Sequence, residues 1–360
     1  MACTHTNITF AESGYDIPVF GAGHSCFYVI HVTAIVCLVL SFSTAISVII
    51  SLFKSKARKP FMTWQKHERF LIYRCICDTI FGFVHSLDHG QMLFTQDHVR
   101  PRGLCSMYAV IIVNLCVSQM NLSLSSAFNA LLSVYFRKNF DFGRNDWKLL
   151  VFIFLIPFIV VVVIWSLGVL GPGGFLCVFD SVKGIIANIV LSTGLTSVVL
   201  LALSVFYVLT WRRIYKEAAV LRAQIGNKGV ARSATLKSAK AMCLFVVFYI
   251  IQWTPVIIYG TWQVISNVPF ELFVAVVMMT NLNGVFSGIL YLINRSKTKS
   301  VSNHNTGMNA DTMRSKTKCA CAERNKPFTP GNLMRIDLKD KKHTHVSVVV
   351  LNRNPTTHVS

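Results

Sequence analysis

The sequence predicts an all-α membrane protein: a bundle of seven spanning helices, with the N-terminus outside and the C-terminus in the cytoplasm. Three observations carry this. Charged residues make up only 14% of the 360, against 53% hydrophobic, where a soluble domain has roughly 25% charged. Seven windows reach the ~20 apolar residues needed to cross a bilayer. Of the 35 Lys and Arg, 31 fall on one side of those windows.

The windows run over about 27–53, 69–94, 105–136, 148–170, 184–211, 239–264 and 270–293. The first follows a stretch with no Lys or Arg and no short apolar core, so it is expected to be its own insertion signal rather than to follow a cleaved one. The second is the most polar, with Arg74, Asp78, His85, Asp88 and His89. The third opens at Cys105 and carries Asn114, Gln119 and Asn121. The fourth is the clearest, since Val151 to Val163 holds no polar side chain. The fifth has no Pro, the sixth has Trp253 and Pro255, and the seventh has Asn283, Ser287 and Tyr291. The expected organisation is an outer segment 1–26, a bundle 27–293, and a tail 294–360 that reads as mostly disordered.

The net charge of +20 would by itself suggest nucleic acid. Its distribution excludes that. The basic residues cluster in 54–69, 137–148, 212–240 and the tail, while the opposite side has Arg100, Arg102 and Lys183. Short basic loops stay in the cytoplasm. The charge therefore sets orientation, and a multi-pass protein of the plasma membrane is expected, with the bilayer as its first partner. Asn7-Ile8-Thr9 then reads as a glycosylation sequon on the outer side.

The cysteines sort by compartment. Cys105 and Cys177 are both expected outside, where a disulfide is stable. A bridge would tie the outer loop to the top of the third helix; the alternative is two free thiols. Cys3 and Cys26 are also expected outside, either paired with each other or as free thiols. Cys37, Cys75, Cys77, Cys116 and Cys243 read as small core residues. Cys319 and Cys321 fit palmitoylation in a basic tail better than a metal site, since two cysteines fall short of zinc's four ligands. No zinc-protease, phosphate-loop or esterase motif is present. Neither an enzyme nor a cofactor is expected.

The sixth segment, Lys237 through Gln252-Trp253-Thr254-Pro255, has a basic base, an apolar run and Trp-x-Pro. The seventh has Asn283-Gly284-Val285-Phe286-Ser287-Gly288-Ile289-Leu290-Tyr291. With seven helices and the Cys105/Cys177 placement, these resemble the rhodopsin-like G-protein-coupled receptors over about 27–294. Asn283 and Tyr291 match the family's seventh-helix motif at the right separation, with Ser287-Gly288 in place of Asn-Pro. The resemblance implies an activation switch of Asp78, Trp253, Pro255, Asn283, Ser287, Tyr291 and Tyr207. Asp78 would be the family's membrane-buried acid, partnered by Asn283 and Ser287, and Pro255 would kink the sixth helix. It further implies a heterotrimeric G protein on loops 137–147 and 212–238, arrestin and kinases on the tail, and an unidentified extracellular ligand. The sequence departs from the family at the inner end of the third helix. Asn129-Ala130-Leu131 stands where the family has Asp-Arg-Tyr, which makes a non-coupling receptor-like protein one alternative.

Candidate pocket residues are His85, Asp88, His89, Asn114 and Tyr259. The first three share one helix face and fit a ligand contact, a proton sensor, or helix-end groups wetted by the interface. Ile112 stands where amine receptors of the family have an Asp, which disfavours a monoamine. A rival from another class is a small transporter or proton-linked channel with a relay along Arg74, Asp78, His85 and Asp88.

Overall fold

The computed structural model describes residues 11–137, 140–223, 227–265 and 268–295; for 218–235, 237 and 264 the backbone alone is described. Asn7, Cys3, Cys319, Cys321 and the tail from 296 lie outside the described residues. The protein is an all-α membrane protein. Among the described residues, six helices are long and apolar enough to cross a membrane, and a seventh span results when one bent pair is counted as one.

The helices are α1 (Ser25–Ser55), α2 (Lys66–Thr95), α3 (Arg102–Tyr135), α4 (Arg144–Ser166), α5 (Ile185–Glu217), α6 (Asn227–Ile265), α7 (Phe270–Asn281) and α8 (Asn283–Arg295). Helical backbone from α5 continues to Ala223 and α6 starts at Asn227. The expected loop 212–238 is therefore largely helix, in keeping with the helical spacing of Ile214, Ala218 and Leu221. α3 is the axis of the bundle, packed on α2, α4, α5 and α6, while α1 packs on α2 and α7.

Local chemistry sets the boundaries. α2 starts with a capping box, in which the Gln65 backbone N–H donates to Glu68 Oε2 at 3.1 Å, satisfying donors that a helix start leaves open. α4 begins with a buried ion pair. Arg69 of α2 grips Asp146 through Nε (2.7 Å) and Nη2 (3.0 Å), and the Tyr73 hydroxyl donates to the same carboxylate at 3.0 Å. Further along α4, Pro157 has no N–H to return to the Ile153 carbonyl, and Val151–Leu155 takes the wider π-helical turn. Asn121 of α3 donates to the Phe152 carbonyl there at 3.0 Å.

The last span differs from the expectation in one respect. The sequence predicts one helix loosened at Gly288, but the 54° bend falls earlier, between α7 and α8 at Leu282. Gly284 and Gly288 instead let α8 lie against α1. A side chain at Gly284 would collide with the Ser41 carbonyl, and one at Gly288 with Thr44. The Gly284 N–H donates to Ser41 Oγ at 2.5 Å. Small residues four apart are a general device for close approach of membrane helices.

One end of the bundle is roofed. Between α4 and α5, β1 (Leu170–Pro172) pairs antiparallel with β2 (Cys177–Phe179), with Pro172 opposite Cys177. The Cys105–Cys177 disulfide ties this hairpin to the start of α3, so the bridge alternative holds. Cys26 is also disulfide-bonded. The five expected core cysteines are free thiols, buried except for half-buried Cys116.

Candidate functional site

Two buried polar layers and one apolar cavity stand out, and α2 contributes to both layers. The deeper layer is built around Asp78. Its Oδ2 accepts from Ser287 Oγ at 2.7 Å and its Oδ1 from Gln119 Nε2 at 3.2 Å. Asn283 Nδ2 donates to Gln119 Oε1 at 3.2 Å, and its Oδ1 accepts from Gln252 Nε2. Arg74, one turn from Asp78, donates to Ser123 Oγ (3.1 Å) and Gln252 Oε1 (3.2 Å), and its guanidinium lies 6.0 Å from the Tyr249 ring. These residues come from α2, α3, α6 and α8, and all are at most 2% exposed. Two opposite charges at this depth would each be costly alone; here each is met by amides and hydroxyls.

Of the residues expected to form the switch, Asp78, Asn283 and Ser287 are in this layer. Ser287 touches Asp78 directly, whereas Asn283 reaches it only through Gln119. Trp253 is next to Gln252 on α6, stacked on Tyr249 at 5.7 Å, and Pro255 lies two residues further within the same helix. Tyr207 and Tyr291 are elsewhere. Tyr207 stacks on Trp211 at 5.9 Å. Tyr291 packs with Trp64 and Leu290 in the basic-end core and accepts from Arg295 at 3.4 Å. Asn129, where the family arginine would be, donates to Met242 Sδ of α6 at 3.2 Å.

The second layer lies toward the disulfide end. His85 and His89 stack at 4.6 Å, and His31 of α1 hydrogen-bonds His89 through their Nδ1 atoms at 2.8 Å. Asp88 Oδ2 accepts from the Cys177 backbone N–H at 2.9 Å. All four side chains are at most 4% exposed. This overturns the reading of His85, Asp88 and His89 as groups wetted at the interface: α2 turns this face to α1 and β2. Among the described residues, both His85 nitrogens, His31 Nε2 and Asp88 Oδ1 are without hydrogen-bond partners. Among the described residues no hydrogen bond joins Asp78 to His85, and Phe81 and Val84 pack between them. Among those residues no His, Cys, Asp or Glu group is arranged to hold a metal.

The cavity, of about 250 Å³, lies between α3, α4 and α5. None of the five expected pocket residues lines it. Asn114 points to a shallow groove against α4, and Tyr259 packs on Phe273, with Phe20 and Phe175 on the same ring. The wall includes Ile112, Cys116 and Met120 of α3, Val160 of α4 and Leu195 of α5; Val178 and Phe179 of β2 line the disulfide end. Among the described residues, α6 contributes Trp253 to the lining. Ile112, the position of the missing Asp, does face the cavity.

Several site residues escaped the sequence reading. Gln252 and Ser123 interrupt apolar runs, and a polar residue within a spanning window was the available signal. His31 is the single His of the first window. The roof had no such signal. Gly14 N–H donates to both Asp180 carboxylate oxygens (2.9 and 3.0 Å), Ser13 Oγ adds a bond at 3.0 Å, and Phe20 N–H donates to the Gly174 carbonyl at 2.8 Å. Gly14 is required there, because a side chain would run into the Pro172 carbonyl. Burial raises the Asp180 pKa, but the N–H bonds from Lys183, Val182 and Gly14 and the Ser13 hydroxyl outweigh it and hold the carboxyl below its ordinary value.

No family model matches the chain, and no curated protein does.

Proposed function

We propose that this protein is a receptor of the rhodopsin-like type, with its N-terminus and disulfide outside the cell, passing a signal to heterotrimeric G proteins through movement of α6. One observation carries the reading: two consecutive α6 residues face two different sites. Trp253 is a wall of the cavity, and Gln252 is bonded to Arg74 and Asn283 in the Asp78 layer. A ligand pressing on Trp253 must disturb Gln252. Pro255 supplies the weak point, since its missing N–H frees the helix to bend there. The mechanism is a shift between two bundle packings. In one, Gln252 bridges α2 and α8; in the other it is released and the basic ends of α5 and α6 separate. The Asn129–Met242 bond between α3 and α6 is a weak latch for that movement, in place of the family's arginine.

The relay rival has less support, because Phe81, Val84 and the unbonded His85 nitrogens interrupt its path. The deciding experiment reconstitutes the protein with a panel of G proteins and measures guanine-nucleotide exchange, with Trp253→Ala as control. Basal or ligand-driven exchange that Trp253→Ala alters is expected. No exchange with any member, together with ion or solute flux that depends on Asp78, would replace the receptor reading by the transporter one.

A further inference from the structure

We infer that the α3–α4–α5 cavity binds an uncharged, lipid-like molecule with one small polar group, and that this molecule enters sideways from the bilayer rather than from water. Calling it the receptor's ligand rests on the proposed function; the binding itself does not.

Three features of the molecule lead here. The first is the wall chemistry. Among the described residues no charged side chain lines the cavity, and the polar groups on its lining side chains are those of Asn121, Ser192 and Thr196 and the unpartnered indole N–H of Trp253. Asn121 has one amide N–H bonded to the Phe152 carbonyl, which leaves its amide oxygen, the Ser192 and Thr196 hydroxyls and the Trp253 N–H for a ligand. An ionised carboxylate, phosphate or ammonium would enter without a counter-charge, at a cost of several kcal/mol or more. A hydroxyl or amide needs one partner, which these groups provide.

The second feature is the roof. Val178 and Phe179 of β2 close the disulfide end of the cavity. The hairpin is held by the Cys105–Cys177 bridge and by Asp88 through the Cys177 N–H. The segment from Ser13 to Phe20 is bonded over it through Asp180 and Gly174. His98 and the Val99 carbonyl bond the same segment, through Ile17 (2.7 Å) and the Tyr15 hydroxyl (3.2 Å). A water-borne ligand would have to displace several of these contacts together.

The third is the side wall. α4 packs on α3, and any contact it makes with α5 is slight. Val160 lines the cavity while still 48% exposed on the apolar outer face. Both helices take π-helical turns beside the opening, at Val151–Leu155 and Asn188–Leu195. A path between α4 and α5 therefore passes the apolar α4 face at Val160, and it suits a molecule already dissolved in hydrocarbon.

The test uses the full chain in phosphatidylcholine nanodiscs and a tritiated decanol carrying a diazirine, with cross-linked residues mapped by mass spectrometry. Saturable labelling of Cys116, Met120 or Leu195 is expected. Unlabelled decanol should displace it, and decanoate or decylammonium should compete about tenfold less well or worse. Leu195→Trp, which fills the cavity, should abolish the saturable component. Cys116→Leu, a smaller change, should weaken it and serves if Leu195→Trp does not fold. Val163→Trp, on the lipid face outside the cavity, should leave it unchanged. Labelling that rises linearly with probe and is not displaced means bilayer contact only and overturns the inference. So does equal competition by the charged analogues, or unchanged labelling in folded Leu195→Trp and Cys116→Leu. The readout needs no G protein. Saturable labelling without nucleotide exchange would keep the site and remove the receptor reading, and exchange driven by a ligand that does not compete with the probe would do the reverse.

Discussion

The two polar layers that cross α2 are both buried, yet they are satisfied to very different degrees. Around Asp78, seven side chains from four helices bond one another, and both charges are met. Around His85, four side chains share one imidazole–imidazole bond and one bond to the Cys177 backbone, and four polar atoms are unpartnered. Burying a polar group without a partner costs free energy, whereas a completed network in a low-dielectric interior fixes one packing over its competitors. The Asp78 layer therefore specifies how the four helices meet. The histidine layer contributes shape and aromatic stacking and holds the hairpin through Asp88, with little of its hydrogen-bonding capacity in use.

The widest separation between the layers is expected from Arg74→Met. It leaves Asp78 without a nearby opposite charge, and loss of one member of a buried charged set costs about 3–5 kcal/mol. Thermal unfolding of the purified protein in detergent should show a larger drop than any single substitution in the histidine layer produces. Adding Asp78→Asn should recover part of it, and the double-mutant cycle should show coupling of about 0.5–3 kcal/mol. Strict additivity would mean that the two charges do not act through the shared Gln119–Asn283–Gln252 chain.

Next in size is Gln252→Leu, which takes one bond from Arg74 and one from Asn283. Two buried groups lose partners, and a cost of about 1–3 kcal/mol follows. On the proposed function the same change raises basal nucleotide exchange, since it removes the bridge that α6 makes to α2 and α8. A variant as stable as the parent, with unaltered exchange, would show that Gln252 carries no part of the packing preference.

The fold was legible because a bilayer imposes coarse rules. Spanning windows, the basic asymmetry and the paired Cys105 and Cys177 follow from helix length, charge and redox compartment, and none requires knowing which helices touch. The Asp78–Ser287 contact was also within reach, since a lone membrane carboxylate needs a partner. Contacts set by the relative rotation of helices were not. The same α2 face that carries His85, Asp88 and His89 could have turned to water, to a ligand or to α1, and periodicity along one helix does not say which. Gly288 reads as loosening until α1 is placed against it. The roof depends on neighbours distant in sequence, since Gly14 meets Asp180 across 166 residues.

His85→Phe probes the other side of the comparison. It removes two unpartnered nitrogens and keeps an aromatic ring between Phe81 and His89. The expected change is a gain of up to about 1 kcal/mol, because exchanging an unsatisfied buried group for an apolar one of similar shape is neutral or favourable. A loss as large as that of Gln252→Leu would mean that His85 has a bonded partner in the working protein and that the two layers are alike.

The smallest effect is expected at Asp180, another buried carboxylate, which lies in the roof. Its bonds to the N–H groups of Lys183, Val182 and Gly14 and to Ser13 hold its pKa below the unfolded value of about 3.9. A depressed pKa gives stability that is present above the unfolded value and is lost as pH falls through the folded one. The N-terminal segment should therefore stay docked at neutral pH and loosen only in strong acid. Hydrogen exchange at Gly14 and Phe20, taken relative to the intrinsic rate at each pH and followed from neutral pH downward, should rise only below the ordinary carboxylate range. In Asp180→Asn it should be faster at every pH and lack the acid-dependent rise, while global unfolding shifts by less than about 1 kcal/mol, because the bonds lost are local to one segment. An acid-dependent rise that persists in Asp180→Asn would assign the roof's pH response to another group.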